Sequence, residues 1–142
     1  MRKEIEKLLQ SVQKPARYAG GELNSVMKDK SKVALRYAFC FPDTYEIGMS
    51  HLGMKILYGV ANAREDTWCE RVFAPADDME ALMRAHGEPL FALESGDPIK
   101  DFDMIGFTMQ YELSYTNILN MLDLAGVPLR AGDRKSLTPI VA

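Results

Sequence analysis

The chain has 142 residues, of which 47% are hydrophobic and 26% are charged. That length fits one globular domain with a buried core. There are 17 basic residues against 20 acidic ones, so the formal net charge is -3, and no basic block indicates a nucleic-acid-binding surface. No apolar run approaches the roughly 20 residues of a membrane-spanning helix, and the N-terminus lacks a signal-peptide pattern. These features predict a cytoplasmic protein without nucleic-acid or membrane partners.

Residues 1–32 predict a short helix followed by a connector. Apolar residues within 5–12 repeat at helical spacing, and Pro15 ends the pattern. The polar segment after Pro15 predicts an extended connector that lies against the body of the domain. Its Gly20-Gly21 pair favours a turn over a phosphate contact.

Residues 33–142 alternate between strand and helix patterns. Apolar runs at 33–41, 68–75 and 104–110 predict strands, a short extended piece falls at 89–94, and another strand begins near the end of the sequence. Because the strand segments are apolar throughout, they predict a mostly parallel sheet covered on both faces, which is an α/β fold. Ending within a strand predicts a domain truncated at its C-terminus.

Helical segments follow each of the three clear strands. Ser50 is the predicted N-cap of the first, in which Leu52, Ile56 and Val60 repeat with a helical period. Gly87 and Gly126 are predicted to end the second and third helices.

Cys40 and Cys69 are predicted to be buried thiols, because neither belongs to a Cys-x-x-Cys pair that could hold zinc or an iron-sulfur cluster. No metal-binding or catalytic residue is predicted in this chain.

Two segments are candidate ligand-binding sites, because ligands of open α/β sheets bind beyond the carboxyl ends of the strands. The first is the loop 42–50, which precedes a predicted helix N-terminus; the second is the segment 108–115, which combines hydroxyl groups with aromatic rings. The candidate cofactor-binding residues are Asp43, Thr44, Tyr45, Gly48, Ser50, His51, Thr108, Gln110, Tyr111 and Ser114.

A structural interpretation of the second segment is equally open. In that interpretation Thr108 and Ser114 cap a helix, while Tyr111 and Tyr115 pack under the N-terminal connector.

Neither a dinucleotide fingerprint nor a P-loop occurs in the sequence. The sequence "GMSHLG" resembles the nucleophile elbow of a hydrolase, Gly-x-Ser-x-Gly, but lacks its second glycine.

Four stretches together make the pattern specific: "ARYAGGELNS", "AFCFPDTYEIGMSHLG", "RVFAPADDMEALMR" and "GFTMQYELSYTNILNMLDLAGVPLR". They resemble the N-terminal region of a family of uncharacterised radical S-adenosylmethionine (SAM) proteins, usually described as Fe-S oxidoreductases. The resemblance runs from about Arg17 to Ala142. It implies a cobalamin-binding-like domain of flavodoxin-like (Rossmann-like), three-layer topology over 33–142, incomplete here, with strand order 2-1-3-4.

The resemblance also implies a partner and its cofactors. A radical SAM barrel of the same chain is the expected partner, and its three-cysteine motif is absent from these 142 residues. The 4Fe-4S cluster and S-adenosylmethionine are therefore expected only in the missing C-terminal part, and this piece alone is expected to catalyse nothing. Its parent protein would be the enzyme.

Cobalamin is the candidate cofactor of this piece. Enzymes with a cobalt-ligating histidine carry Asp-x-His-x-x-Gly, whereas alignment on His51 places Met49 and Met54 at the Asp and Gly positions. The resemblance therefore implies an accessory cofactor-binding or substrate-binding domain in which His51 is not a cobalt ligand. The alternatives are a scaffold that braces the barrel without cobalamin and, less favoured, a stand-alone binding or hydrolytic domain.

Overall fold

The computed structural model describes residues 2–142, so Met1 of the predicted N-terminal segment lies outside it. Its four strands are all parallel, in the order β2-β1-β3-β4. This confirms the predicted strand order. The elements are α1 (Lys3–Leu9), β1 (Leu35–Phe41), α2 (Tyr45–Ser50), α3 (Leu52–Asn62), β2 (Thr67–Phe73), α4 (Asp77–His86), β3 (Met104–Phe107), α5 (Ser114–Leu124) and β4 (Ile140–Val141).

The central strand β1 is buried on both faces, because its side chains alternate between two hydrophobic clusters. Ala38 and Cys40 belong to the cluster that includes residues of α1, α4 and α5. Phe39 and Phe41 belong to the opposite cluster, which includes residues of α3. Helices therefore cover both faces of the sheet, and the predicted flavodoxin-like, three-layer α/β fold is confirmed.

The apolar repeat that predicts α3 does not form its buried face. Met54 and Tyr58 are the residues of α3 that enter the core. Leu52, Ile56 and Val60 point outward and are 68%, 55% and 65% exposed. Helical periodicity locates a helix correctly but cannot tell which of two apolar faces the sheet covers.

The boundaries of several other elements correct the sequence predictions. Residues 89–94 do not join the sheet and make one isolated bridge, from Phe91 to Pro98. β3 ends at Phe107, earlier than predicted. Gly87 directly follows α4, and Gly126 lies two residues after the end of α5. Both adopt positive φ angles, 65° and 69°, as predicted for residues that end helices.

The connector lies against the domain, as predicted. The indole nitrogen of Trp68 donates to the carbonyl of Val26 at 2.9 Å, and the amide of Val26 donates to the hydroxyl of Tyr58 at 2.7 Å. Gly20 has a φ of 67°, and a side chain there would bring Cβ within 2.6 Å of the Leu93 carbonyl oxygen. The glycine pair thus serves a turn and a close backbone approach.

The outer edge of β2 is closed by two side chains and one backbone hydrogen bond, from the Leu93 amide to the Arg71 carbonyl at 2.8 Å, instead of a fifth strand. Asn62 accepts from the Cys69 amide and donates to the Cys69 carbonyl, both at 3.0 Å, so its amide group imitates a neighbouring strand. Two residues further along, the Glu94 carboxylate accepts from the Arg71 amide at 2.7 Å. Unpaired edge groups invite pairing with other chains, and these contacts occupy them.

Replacing Asn62 with alanine is expected to lower the free energy of unfolding by about 2 kcal/mol, because both Cys69 backbone groups lose their partner in a buried setting. Urea unfolding followed by circular dichroism measures the change. Asn24→Ala, at an exposed connector position, is the matched control and should be nearly neutral. Equal destabilisation by both substitutions would contradict the role given to Asn62.

Candidate functional site

The two segments predicted to bind a ligand begin side by side at the carboxyl edge of the sheet. β1 leads through α3 on one face to β2 at one side of the sheet, and β3 leads through α5 on the other face to β4 at the other side. The connections therefore diverge between β1 and β3, which is where such folds bind ligands. The amide of Thr108 donates to the carbonyl of Cys40 at 3.0 Å and holds the two strand ends together.

A polar cleft of about 510 Å³ opens at this edge. Two predicted residues, Asp43 and Thr44, line it. They face the start of α4 and two amide side chains of α5. The other lining residues are Gln13, Arg17, Ala74, Pro75, Ala76, Asp77, Asp78, Glu80, Asn117 and Asn120.

Hydrogen bonds fix the walls of this cleft. Asn117 donates to the Pro42 carbonyl at 2.9 Å, which ties α5 to the loop after β1. Asp78 accepts from the amide of Gln13 at 2.8 Å, and this bond lowers the pKa of Asp78. Arg17 pairs with Glu46 at 2.9 Å and lowers the pKa of that carboxyl group. The cleft therefore presents carboxylates and amides, which suit a ligand rich in hydrogen-bond donors.

Thr108 carries a buried polar atom at the carboxyl end of β3. Among residues 2–142, its hydroxyl oxygen has no hydrogen-bond partner. Buried hydroxyl groups in proteins are nearly always bonded. An unbonded one at the end of β3 is the kind of group that a ligand or an ordered water satisfies.

The structure gives three of the predicted loop residues packing or local roles. A Cβ on Gly48 would overlap the Phe73 ring, so glycine is required for α2 to pack. The Tyr45 ring packs edge to face against Phe73, with centroids 5.5 Å apart. Burial, and to a smaller extent the nearby Glu22 carboxylate, raises the pKa of Tyr45. The Ser50 hydroxyl donates to the Ile47 carbonyl at 2.8 Å and not to a histidine, as the hydroxyl of a catalytic serine would.

His51 is the N-cap of α3, and the prediction of Ser50 in that position is wrong because Ser50 ends α2. The Nδ1 atom of His51 accepts from the Met54 amide at 3.2 Å. A ring nitrogen that accepts a hydrogen bond carries no proton, so the neutral ring keeps its proton on Nε2. Neither nitrogen then offers a free lone pair to a metal, which supports a structural role for this side chain.

The segment after β3 does not have the purely structural role described above, in which its tyrosines pack beneath the connector and its hydroxyl groups cap a helix. Tyr111 and Tyr115 are 50% and 53% exposed, so neither packs beneath the connector. The N-cap of α5 is Leu113, without a side-chain capping bond. Capping by Thr108 or Ser114 is therefore wrong. Gln110 is exposed and Ser114 is buried.

A buried charge cluster on the α3 side of the sheet was missed by the sequence analysis. Arg71 donates to Glu94 at 2.6 Å, to Ser25 at 2.9 Å and to Glu22 at 3.3 Å, and its guanidinium lies 4.6 Å from the centroid of the Tyr58 ring. These contacts join β2 to the connector, where a cavity of about 380 Å³ opens between residues 22–26 and α2–α3. The signal was the charged pair within the otherwise apolar run "WCERVF".

Within the described range 2–142, no group of three or more His, Cys, Asp or Glu residues could hold a metal ion. Over the same range, no helix is both long and apolar enough to cross a membrane.

Residues 53–142 match the family described as Radical SAM proteins, N-terminal. The match covers more than half of the chain, including α3 and strands β2–β4, and the loop 42–50 lies just ahead of it. No curated protein and no solved structure matches the chain.

The fold defines a parallel α/β domain with a topological switch point between β1 and β3. Within that class, the chain belongs to the family of N-terminal domains of radical SAM proteins.

His51→Ala is expected to lower the free energy of unfolding by about 1 kcal/mol, because the first turn of α3 loses its side-chain cap. His51→Asn, which restores a good capping group, should retain most of the stability. Thermal unfolding of the three proteins tests this. A larger loss with asparagine than with alanine would contradict the capping role.

Arg71→Met is expected to cost about 3–5 kcal/mol at neutral pH, because Glu94 would remain buried and ionised without its partner. Burial raises the pKa of Glu94, and Arg71 opposes that rise. Because the pKa of Glu94 is higher in the folded than in the unfolded protein, this carboxyl group contributes most to stability below its unfolded pKa. That contribution to the free energy of unfolding declines as the pH rises through the folded-state pKa. The loss caused by Arg71→Met should therefore shrink as pH falls through the raised folded-state pKa of Glu94, and should be smallest below the unfolded pKa of about 4.

The controls for this prediction come from the same chain. Arg84→Met removes a solvent-exposed arginine that pairs with Glu80 and Asp123 on the surface, and should change the stability little. Adding Glu94→Gln to Arg71→Met should recover part of the loss. Denaturant unfolding between pH 3 and pH 8 measures each effect, and a pH-independent loss in Arg71→Met would refute the explanation.

Proposed function

We propose that this chain is an accessory domain of a radical SAM protein, which binds a cofactor or substrate at the carboxyl edge of its sheet and performs no catalysis by itself. The observation that carries the proposal is the polar cleft at the carboxyl edge of the sheet, lined by Asp43 and Thr44. The family match associates the domain with a radical SAM domain in the same chain. In this arrangement, the barrel supplies the 4Fe-4S cluster and S-adenosylmethionine.

Residues around the cleft have separate tasks in this proposal. Asp43 and Thr44 hydrogen-bond the ligand, together with the amide groups of α5. Thr108 contributes a hydroxyl group that has no partner within the protein. Gln110 and Tyr111 lie on an exposed segment after β3 and would cover a flat ligand from outside. Gly48, Ser50 and His51 shape α2 and the start of α3.

Cobalamin is the specific ligand that we propose to test first. Its amide side chains match the carboxylates and amides of the cleft, because carboxylate oxygens accept hydrogen bonds and amide groups both accept and donate them. The capping bond of His51 disfavours ligation of cobalt by this histidine. Cobalamin would therefore bind without a protein imidazole, and its corrin chemistry would be directed toward the barrel.

A scaffold without any cofactor is the second candidate. One observation favours it: the outward face of α3 is apolar, as expected for a surface that packs against another domain. A stand-alone hydrolase has no comparable support, because the Ser50 hydroxyl is bonded to a backbone carbonyl.

Titration with hydroxocobalamin tests the proposal in the protein that contains this domain and the radical SAM domain. Binding should change the corrin absorbance, and Thr44→Val should raise the dissociation constant about 5- to 10-fold through loss of one hydrogen bond. Thr138→Val, an exposed site preceding β4 at the opposite edge of the sheet, is the matched control. His51→Ala should leave the spectrum of bound corrin unchanged.

Each other outcome has a distinct meaning. The absence of both a spectral change and a co-purifying corrin would reject cobalamin and favour the scaffold. Corrin binding that Thr44→Val and Thr138→Val affect equally would place the ligand away from this cleft. An altered axial-ligand band in His51→Ala would refute the capping interpretation.

A further inference from the structure

The outer face of α3 has no charged side chain along three turns. Leu52, Ile56, Gly59, Val60 and Ala63 are all exposed, and helical geometry places them on the side opposite Met54 and Tyr58. The one charged residue of the helix, Lys55, lies at the border of this face. A helix that faces water on one side normally carries polar residues there.

The helix α4 differs from α3 in this respect. α4 also packs one face on the sheet, through Met79 and Met83. Its remaining positions include Asp77, Glu80 and Arg84, as expected for a face in contact with water. The outward face is therefore charged on α4 and apolar on α3, although both helices cover the sheet.

The connector extends the apolar surface beside α3. Leu23 lines the same cavity as Lys55 and Gly59, and Met27 lies between two residues that are hydrogen-bonded to α3. The exposed fractions are 99% for Leu23, 62% for Met27, 68% for Leu52, 55% for Ile56, 54% for Leu57 and 65% for Val60.

This surface combines six apolar residues that are each more than half exposed. Exposed apolar residues on a monomer are normally scattered singly, and contiguous apolar patches mark interaction sites. Permanent interfaces are also more apolar than transient ones, in agreement with the absence of charge.

We infer that the outer face of α3, together with Leu23 and Met27, is the surface on which the radical SAM domain of the same chain packs. The family match supplies the reason to choose this occupant, since it describes the chain as the N-terminal domain of proteins that carry a radical SAM domain. Gly59 lies on this face without a side chain, and no atom lies within 4 Å of the position that a Cβ would take, so a partner can approach the backbone closely there. This inference shares with the proposed function the premise that the domain works beside the barrel.

Cysteine labelling in the two-domain protein tests the inference. Ile56→Cys places a thiol at the centre of the surface, and Ala85→Cys places one on the exposed side of α4 as a matched control. The native Cys40 and Cys69 are fully buried, so they serve as internal references. Reaction with a maleimide, quantified peptide by peptide with mass spectrometry, should be at least about tenfold slower at Ile56→Cys than at Ala85→Cys, a difference of 1.4 kcal/mol or more. In guanidinium, the two rates should be equal.

Other outcomes overturn the inference. Equal native rates at the two positions would show that α3 is not covered. Protection that disappears on dilution would assign the surface to a second copy of the chain. Gly59→Cys provides a second measurement on the same face and should be protected like Ile56→Cys. Corrin binding is measured separately, so protection without corrin would reject the cofactor proposal alone.

Discussion

The ion pair between Arg71 and Glu94 is the constraint on which much of this domain depends. Both side chains are buried, and a buried charge is tolerated only when it is paired and hydrogen-bonded. Arg71 meets this requirement through contacts with the connector and α3, while Glu94 also binds the Arg71 amide at the edge of β2. A single pair thus holds the connector, closes a sheet edge and positions the segment after α4.

This arrangement separates the domain into regions with different surfaces. The α4–α5 side carries the charged helix α4 and the polar cleft, whereas the α3 side carries the connector and an apolar outer face. The carboxyl edge belongs to both, because β1 and β3 end there with their connections diverging. A binding edge and a packing face can therefore coexist on one small domain.

Sequence reasoning succeeded where one pattern permitted one structure. Apolar strands alternating with helices permit little except a parallel sheet covered on both faces, and the glycines after α4 and α5 ended those helices as expected. It failed at His51, because a histidine cap depends on a local backbone geometry that residue type does not reveal. Of the predicted site residues, Asp43 and Thr44 line the cleft, whereas Gly48 packs against the Phe73 ring, which leaves no room for a Cβ.

The sequence by itself determined the fold class, the strand order and the family resemblance, since these follow from periodicity and from long matching stretches. Only the tertiary structure decided which face of α3 is buried, that Asn62 and Glu94 close the edge of β2, and that Arg71 is buried within the charge cluster. The reason is physical. Local patterns specify the elements, but burial and hydrogen-bond partners depend on which residues distant in sequence become neighbours in space.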